Sequence, residues 1–373
     1  MKKNLAIVIT RLEMGGAQKI VLSLYNKLDR KKFNVFLIVG KGGILEQEVI
    51  NIADNTVQLW KEIKHPISLF NDFRAIIKMA KFFRKHKIDV VNTHCSKAGA
   101  VGRLAAKFAD IKNVYHTVHI FSFHTYQNPF SHLMYIIIEK VLTRYTKKFI
   151  AVGQDVKQYG ISKRIGKHDQ YSVIPAAVDT GIFIKKRNVR NEFLKAYGLH
   201  PQNFTVGMIG NMKKQKNSEE FVEIACLSCT DDKNIQFIFA GGGNGYKEEK
   251  LKRKIISSGF EKRIKLVGWI DKPEDFLASI DVFLLTSLWE GLPCSLIQTY
   301  CTGIPFVATD ICGNSEFHKL TGAGSLYSPG DINSAKDKIY RMKGKKIEPL
   351  KNISEEFDEK RMIESYEREL GGF

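Results

Sequence analysis

The chain has 373 residues, 44% apolar and 26% charged, enough for two domains with their own cores and too apolar for wholesale disorder. Its 58 basic against 39 acidic residues leave a net charge of +19, a field that favours a lipid surface, nucleic acid or phosphorylated ligands as partners. The plainer reading of that charge is lysine-biased composition on solvated faces.

Leu5–Thr10 reads as a first strand; preceded only by Lys2 and Lys3, it is too short for the apolar core of a signal peptide. Gly15 and Gly16 then open a helix, and a strand, glycine loop and helix in that order aim backbone N–H groups at an anion. No third glycine completes G-x-G-x-x-G and no Gly-Lys-Ser/Thr follows, so a dinucleotide fingerprint and a P-loop are both unsupported. Asn34–Val39 is a second strand. Leu69–Lys87 reads as a helix with Phe70, Phe73, Ile76, Ile77, Ala80 and Phe83 at helical spacing and six basic residues interleaved. That helix fits either a solvated Rossmann helix or a surface helix on anionic lipid headgroups.

Asp89–Thr93 is the next strand, followed by His94, Ser96, Lys97 and, further on, Arg103. Val114–Val118 is another; His116 inside it reads as a satisfied core imidazole, and His119 stands just beyond. Phe130–Tyr145 is an apolar helix, but its longest apolar stretch, Leu133–Leu142, is broken by Glu139 and Lys140 and falls short of a membrane span. Lys148–Val152 closes the first half, and the chain crosses to the second near Val173–Phe183.

The second half restarts the alternation with strand Phe204–Ile209, a loop carrying Asn211, Lys213, Lys214 and Lys216, and a helix from Ser218. Cys226 and Cys229 form a lone C-x-x-C inside that helix, which reads as core packing, and the six cysteines fit reduced thiols of a cytoplasmic protein. Ile235–Ala240 ends in the Gly241–Gly245 loop, and Ile264–Val267 runs into Gly268 and Trp269. Asp281–Thr286 reads as a buried strand and Ser287–Pro293 as a turn carrying one acid, Glu290. Ser295–Tyr300 is a short helix with Ser295 as its expected N-cap, Phe306–Thr309 a further strand, and Ser354–Leu370 a final amphipathic helix. Glu290 thus lies beyond the carboxyl end of a strand, where open α/β sheets bind ligands.

Glu290-Gly-Leu-Pro293, the gap to Gln298, and Gly303-Ile-Pro-Phe-Val-Ala-Thr309 resemble the donor-site signature of the retaining glycosyltransferases of family 4, in glycosyl transferases group 1. VNTHCSKAGAVGRLAA resembles that family's strand-end loop on the acceptor side, Val114–His119 its HTVH segment, and Val173–Asp179 its interdomain crossing. The resemblance implies an α/β GT-B fold, two Rossmann-like doubly wound domains at 1–180 and 181–353, with residues 354–373 packing back on the first. It further implies His119 and Glu290 as catalytic residues. Donor contacts would come from Gly15, Gly16, Asn211, Lys216, Val267, Trp269, Gly291, Leu292, Pro293 and Gln298, and acceptor contacts from His94, Ser96, Lys97 and Arg103. Two positions depart from the family pattern: Asn211 stands where it has arginine, and Gln298 where it has a second glutamate.

The function so implied is transfer of a sugar, with retention, from a nucleotide diphosphate donor (UDP-linked) to a glycan or lipid-linked acceptor in cell-surface polysaccharide synthesis. Neither cofactor nor metal is expected, since no D-x-D motif occurs in the chain. The enzyme would be cytoplasmic and peripheral on an anionic membrane; nucleic acid is not an expected partner, because no aromatic-rich basic strand motif occurs. A sugar-nucleotide epimerase of similar fold and a non-catalytic anion- or membrane-binding module are the alternatives.

Overall fold

The structure, a computed structural model, describes residues 2–50, 56–63, 68–185, 187–243 and 245–372. Asn244 of the glycine loop falls outside them. The chain divides into two units: one holds the residues up to Ala176 and those from Glu359 onward, the other Ala177–Asp358.

The first unit is built on seven parallel strands: β1 (Lys3–Arg11), β2 (Phe33–Gly40), β3 (Val57–Trp60), β4 (Val90–His94), β5 (Asn113–Val118), β6 (Lys148–Ala151) and β7 (Tyr171–Val173). Their order is β3-β2-β1-β4-β5-β6-β7, so the winding reverses between β1 and β4. Leu5–Ile9 of β1 and Val90–His94 of β4 are wholly buried, as central strands covered on both faces must be. The second unit has β8 (Phe204–Ile209), β9 (Ile235–Ala240), β10 (Ile264–Leu266), β11 (Val282–Leu285), β12 (Phe306–Thr309) and β13 (Ser325–Tyr327), ordered β10-β9-β8-β11-β12-β13. Here the reversal lies between β8 and β11.

The sequence omits β3 and β13, both short, and takes Val173, the end of β7, for connecting chain. Two expectations change. The segment after His94 is a helix, Ser96–Phe108, in place of a strand-end loop. The final helix is two: Lys351–Glu356 in the second unit, and Glu359–Gly371 lying on the Gly16–Lys27 helix of the first. The Leu69–Lys85 helix buries Ala75, Ile76, Met79, Ala80 and Phe83, whereas Leu69, Phe70, Phe73 and Ile77 are exposed. Among the described residues, no helix is long and apolar enough to cross a membrane.

Candidate functional site

In the second unit, the loops that follow β8 and β11 meet at the point where the strand order reverses, the place where open parallel sheets expose a ligand crevice. Glu290 is buried there, 8% exposed, and three donors converge on its carboxylate. The Lys216 ammonium donates to Oε1 (2.5 Å), as does Ser287 Oγ (2.7 Å), and Gln215 Nε2 donates to Oε2 (3.3 Å). Backbone bonds tie the two loops together: Leu288 N–H donates to Gln215 C=O, and Thr286 Oγ donates to the carbonyls of Lys216 and Asn217. Asn217 adopts a left-handed conformation (φ +47°), which turns the loop back so that Lys216 reaches the acid. Glu290 is therefore no exposed turn acid; it is a carboxylate held in one position by charge-assisted hydrogen bonds.

The neighbouring loops close on the same strand ends. A Cβ at Gly313 (φ +85°) would stand 1.6 Å from the Gly291 carbonyl oxygen, so the loop after β12 seats against Gly291 only because it carries no side chain there. A Cβ at Gly241 (φ +152°) would stand 1.7 Å from the Gly210 carbonyl oxygen, and Gly241 N–H donates to Gly268 C=O, joining the loops after β8, β9 and β10. Trp269 packs its indole over Gly242, where a Cβ would come within 2.5 Å of Nε1. Val267 and Trp269 are half-buried beside it; Gly291, Leu292 and Pro293 are buried.

Some expected groups stand apart from the acid. Asn211 is half-buried and accepts a bond from Lys213 N–H (3.3 Å), while Lys213 and Lys214 are exposed. Gln298 is half-buried on the Cys294–Cys301 helix, on the same face as Cys294 and Ser295. That helix starts at Cys294 with Pro293 in the capping position; Ser295 lies inside its first turn and is not the cap. Its Oγ is buried with no bonding partner among the described residues. Burial pushes the Cys294 thiol up to about 11, so it stays protonated beside the acid. Ser287 and Gln215 were not singled out from the sequence, although each adjoins a motif residue.

The first unit brings another group together where its own strand order reverses. Gly15 precedes the Gly16–Lys27 helix beyond β1 in extended backbone (φ 177°) that any residue adopts, so no conformational demand explains it; Gly16 is exposed. Beyond β4, Cys95 takes φ +62° and ψ 157°, a region nearly reserved for glycine, and the strain accompanies a sharp turn between His94 and the next helix. Lys97 pairs with Asp72 (2.6 Å), and Ser96 Oγ bonds Ser122 Oγ. Arg103 departs from the acceptor-side expectation. It is fully buried, with Nη2 donating to both Glu139 carboxylate oxygens (2.8 and 2.9 Å) and Nε donating to Gly99 C=O, and Gly99, one turn earlier, leaves room beside the guanidinium, since a Cβ there would stand 3.3 Å from Nη2.

His94 and His119 stack (5.2 Å between rings) and share a hydrogen bond of 3.0 Å. Burial lowers the His119 pKa to about 4, and burial followed by the neighbouring His119 holds His94 well below the ordinary range, so both rings are neutral near pH 7. His116 is buried against Thr93 Oγ (2.8 Å) as a core imidazole. Among the described residues, no cluster of three or more His, Cys, Asp or Glu is arranged to hold a metal.

Residues 14–181 match the family described as Glycosyltransferase Family 4, and residues 189–359 match glycosyl transferases group 1. The chain is 30% identical over 337 residues to the UDP-Gal:alpha-D-GlcNAc-diphosphoundecaprenol alpha-1,3-galactosyltransferase of Escherichia coli, covering 90% of this chain and 86% of that protein. It is 22% identical to the capsular polysaccharide biosynthesis glycosyltransferase CapM of Staphylococcus aureus, covering 84% and 82% of the two chains. Among solved structures, Anabaena HepE with UDP-glucose superposes with a TM-score of 0.82 at 16% identity, over 99% of this chain and 100% of that one.

Proposed function

Because the chain belongs to the group 1 glycosyltransferases and has their GT-B fold, we propose that it moves a hexosyl group from a UDP-linked sugar to a glycan or lipid-linked acceptor in cell-surface polysaccharide synthesis. The observation that carries this reading is the Lys216–Glu290 pair at the reversal point of the second sheet. In the proposed reaction the Lys216 ammonium stabilises charge on the leaving diphosphate, and Glu290 accepts hydrogen bonds from sugar hydroxyls. The bond from the anomeric carbon to the phosphate oxygen breaks, and a bond to the acceptor oxygen forms on the same face. The acceptor hydroxyl proton passes to the departing phosphate. The reaction so drawn retains configuration and routes no step through a metal. Gln298, with one carbonyl acceptor and two N–H donors, would hold the ribose. Donor chemistry is supported by the printed activity of the E. coli relative and by the UDP-glucose complex of HepE.

The test is a panel of sugar nucleotides screened by melting temperature, then by transfer to a diphosphate-lipid-linked sugar. UDP and one UDP-sugar are expected to raise the melting temperature, because a ligand that binds only the folded state stabilises it. Turnover of the UDP-sugar in the absence of any acceptor would favour the epimerase alternative. Absence of binding to every nucleotide would remove the enzyme reading.

We also propose an anionic membrane as the docking surface. Phe70 (69% exposed) and Phe73 project from the Leu69–Lys85 helix among Arg74, Lys78 and Lys81. Phe130 (77% exposed), Leu133, Ile137 and Val141 form a bare stripe on the Pro129–Leu142 helix. Both helices pack on the Ser96–Phe108 helix. Apolar side chains ringed by cations suit the boundary of a charged bilayer. Flotation with phosphatidylglycerol vesicles is expected to recover the protein at low salt and to lose most of it at 0.5 M NaCl, where the Debye length falls to about 4 Å. F70S/F73S and F130S/L133S are each expected to weaken recovery at fixed salt. Binding that ignores salt and all four changes would show that the charge is compositional.

A further inference from the structure

A chain of buried polar groups runs through the first unit from the C-terminal helix to the His119 ring. Tyr366 OH meets Thr117 Oγ (3.3 Å), Asn92 Nδ2 donates to Thr117 Oγ (3.1 Å), and Asn92 Oδ1 lies 2.7 Å from His94 Nε2. His94 Nδ1 in turn lies 3.0 Å from His119 Nε2. Asn92, His94 and Thr117 have no exposure at all, and Tyr366 has 1%. Such a chain in a dry core has to be fully satisfied, and satisfying it fixes its direction.

The direction follows from counting protons. Asn92 spends its NH₂ on Thr117, so its oxygen is what faces His94, and His94 must donate from Nε2. A neutral imidazole carries one N–H, which leaves His94 Nδ1 as a bare lone pair. The contact of 3.0 Å can then be a hydrogen bond only if His119 donates from Nε2. His119 is left with an unprotonated Nδ1, which no group bonds among the described residues. His119 is only half-buried, whereas His94 is completely enclosed, so the exposed end of the chain is an acceptor.

We propose that Asn92 and His94 are positioning residues that lock His119 as its Nε2–H tautomer, so that Nδ1 meets a hydroxyl of the bound sugar as a hydrogen-bond acceptor. The identity of that ligand rests on the transferase reading given above; the tautomer does not. A hydroxyl donates readily to a lone pair, whereas the opposite tautomer would present N–H and select an acceptor such as a phosphate oxygen. The chain therefore assigns His119 to the sugar and away from the diphosphate. It also ties the ring to a helix contributed by the last residues of the described chain, through Tyr366.

Long-range ¹H–¹⁵N spectra of the intact, ¹⁵N-histidine-labelled protein near pH 7.5 read the tautomer directly, with His119→Gln and His94→Gln used for assignment. The expected result is His119 protonated at Nε2 with Nδ1 bare, and His94 protonated at Nε2. A His119 protonated at Nδ1 overturns the proposal without bearing on whether the protein is a transferase. Asn92→Leu removes the acceptor that fixes His94, and is expected to mix the tautomers and lower transfer kcat/KM about tenfold, the scale of one hydrogen bond. The melting shift given by UDP alone should be unchanged. Asn92→Asp keeps an acceptor in place and is expected to restore both the tautomer and most of the rate. Equal rates and identical spectra for wild type and Asn92→Leu would overturn the positioning role. If Asn92→Leu does not fold, the wild-type spectrum and Asn92→Asp still decide. Absence of sugar transfer by wild type would fail the function reading and leave the tautomer measurement standing.

Discussion

Glu290→Ala is expected to lower kcat/KM for sugar transfer about a thousandfold, the scale seen when a preorganised polar contact to the reacting centre is removed. Three donors now converge on this carboxylate: the Lys216 ammonium, the Ser287 hydroxyl and the Gln215 amide. Alanine leaves the Lys216 ammonium and the Ser287 hydroxyl without this acceptor, while Gln215 Nε2 keeps its bond to Trp289 C=O (3.0 Å); Lys216, whose side chain is only 14% exposed, loses its counter-ion. Freed from that partner, the ammonium would sample positions away from the diphosphate, so the loss should appear in kcat as well as KM. The structural cost is smaller. The flexible stem of Lys216 can carry its ammonium toward solvent, so unfolding free energy should fall by about 2 kcal/mol, which an ordinary domain survives. Glu290→Gln separates charge from shape: it keeps the volume and one acceptor, loses the ion pair, and should retain about ten times more activity than alanine. Melting curves check that both variants fold. Turnover within a few-fold of wild type for Glu290→Ala, with a normal melt, would withdraw the donor site from this loop.

The second large effect concerns stability. Arg103→Ala is expected to cost about 4 kcal/mol, because it leaves the Glu139 carboxylate buried without its cation. For a unit of this size that corresponds to a drop of about 10 °C in melting temperature. Arg103→Lys should recover only part of the loss, since a single ammonium can reach the Glu139 carboxylate as Nη2 does but has no counterpart of the Nε bond to Gly99 C=O or the Nη1 bond to Thr146 Oγ. The double change R103M/E139L removes both charges and fills the space, and is expected to regain most of the loss. The measurement also separates the two places proposed for this residue. A normal melt with a raised KM for acceptor would return Arg103 to the acceptor surface, whereas a lowered melt with unchanged acceptor KM confirms its place in the core.

The contrast between Glu290 and Arg103 marks how far the sequence reaches. Glu290 and Lys216 belong to short strand–loop–helix segments in which spacing along the chain nearly equals arrangement in space, so their neighbourhood was legible. Arg103 sits mid-helix, where the face presented to the core decides everything. A signal for its direction was Gly99, one turn earlier, since a position without a side chain leaves space for a large neighbour on the same face. Phe70 and Phe73 fitted either reading of their helix. Helical periodicity gives a direction around the axis but not how far along it a neighbour extends, and the burial on that helix begins only at Ala75. His94 and His119 were each legible as strand-end histidines. Their pairing was not, because it depends on the β4–β5 register, in which His94 stands opposite Thr117. The two parallel sheets were legible because alternating strand and helix signals recur through both halves; β3, β7 and β13 are short edge strands whose apolar runs are interrupted by Gln58, Ser172 and Ser325.

The swapped C-terminal helix has a bearing on how the protein is made. Glu359–Gly371 lies on the first unit, held by the Lys32–Glu367 and Lys148–Glu369 ion pairs and by Tyr366 in its interior. During synthesis, the ribosome must release the whole of Ala177–Asp358 before the earlier-born half can receive its last helix. A nascent chain that stalls late would carry a finished second unit and an unfinished first one, with Thr117 lacking the tyrosine that caps its polar chain. A chain cut before Tyr366 would leave the buried polar chain of the first unit open at Thr117.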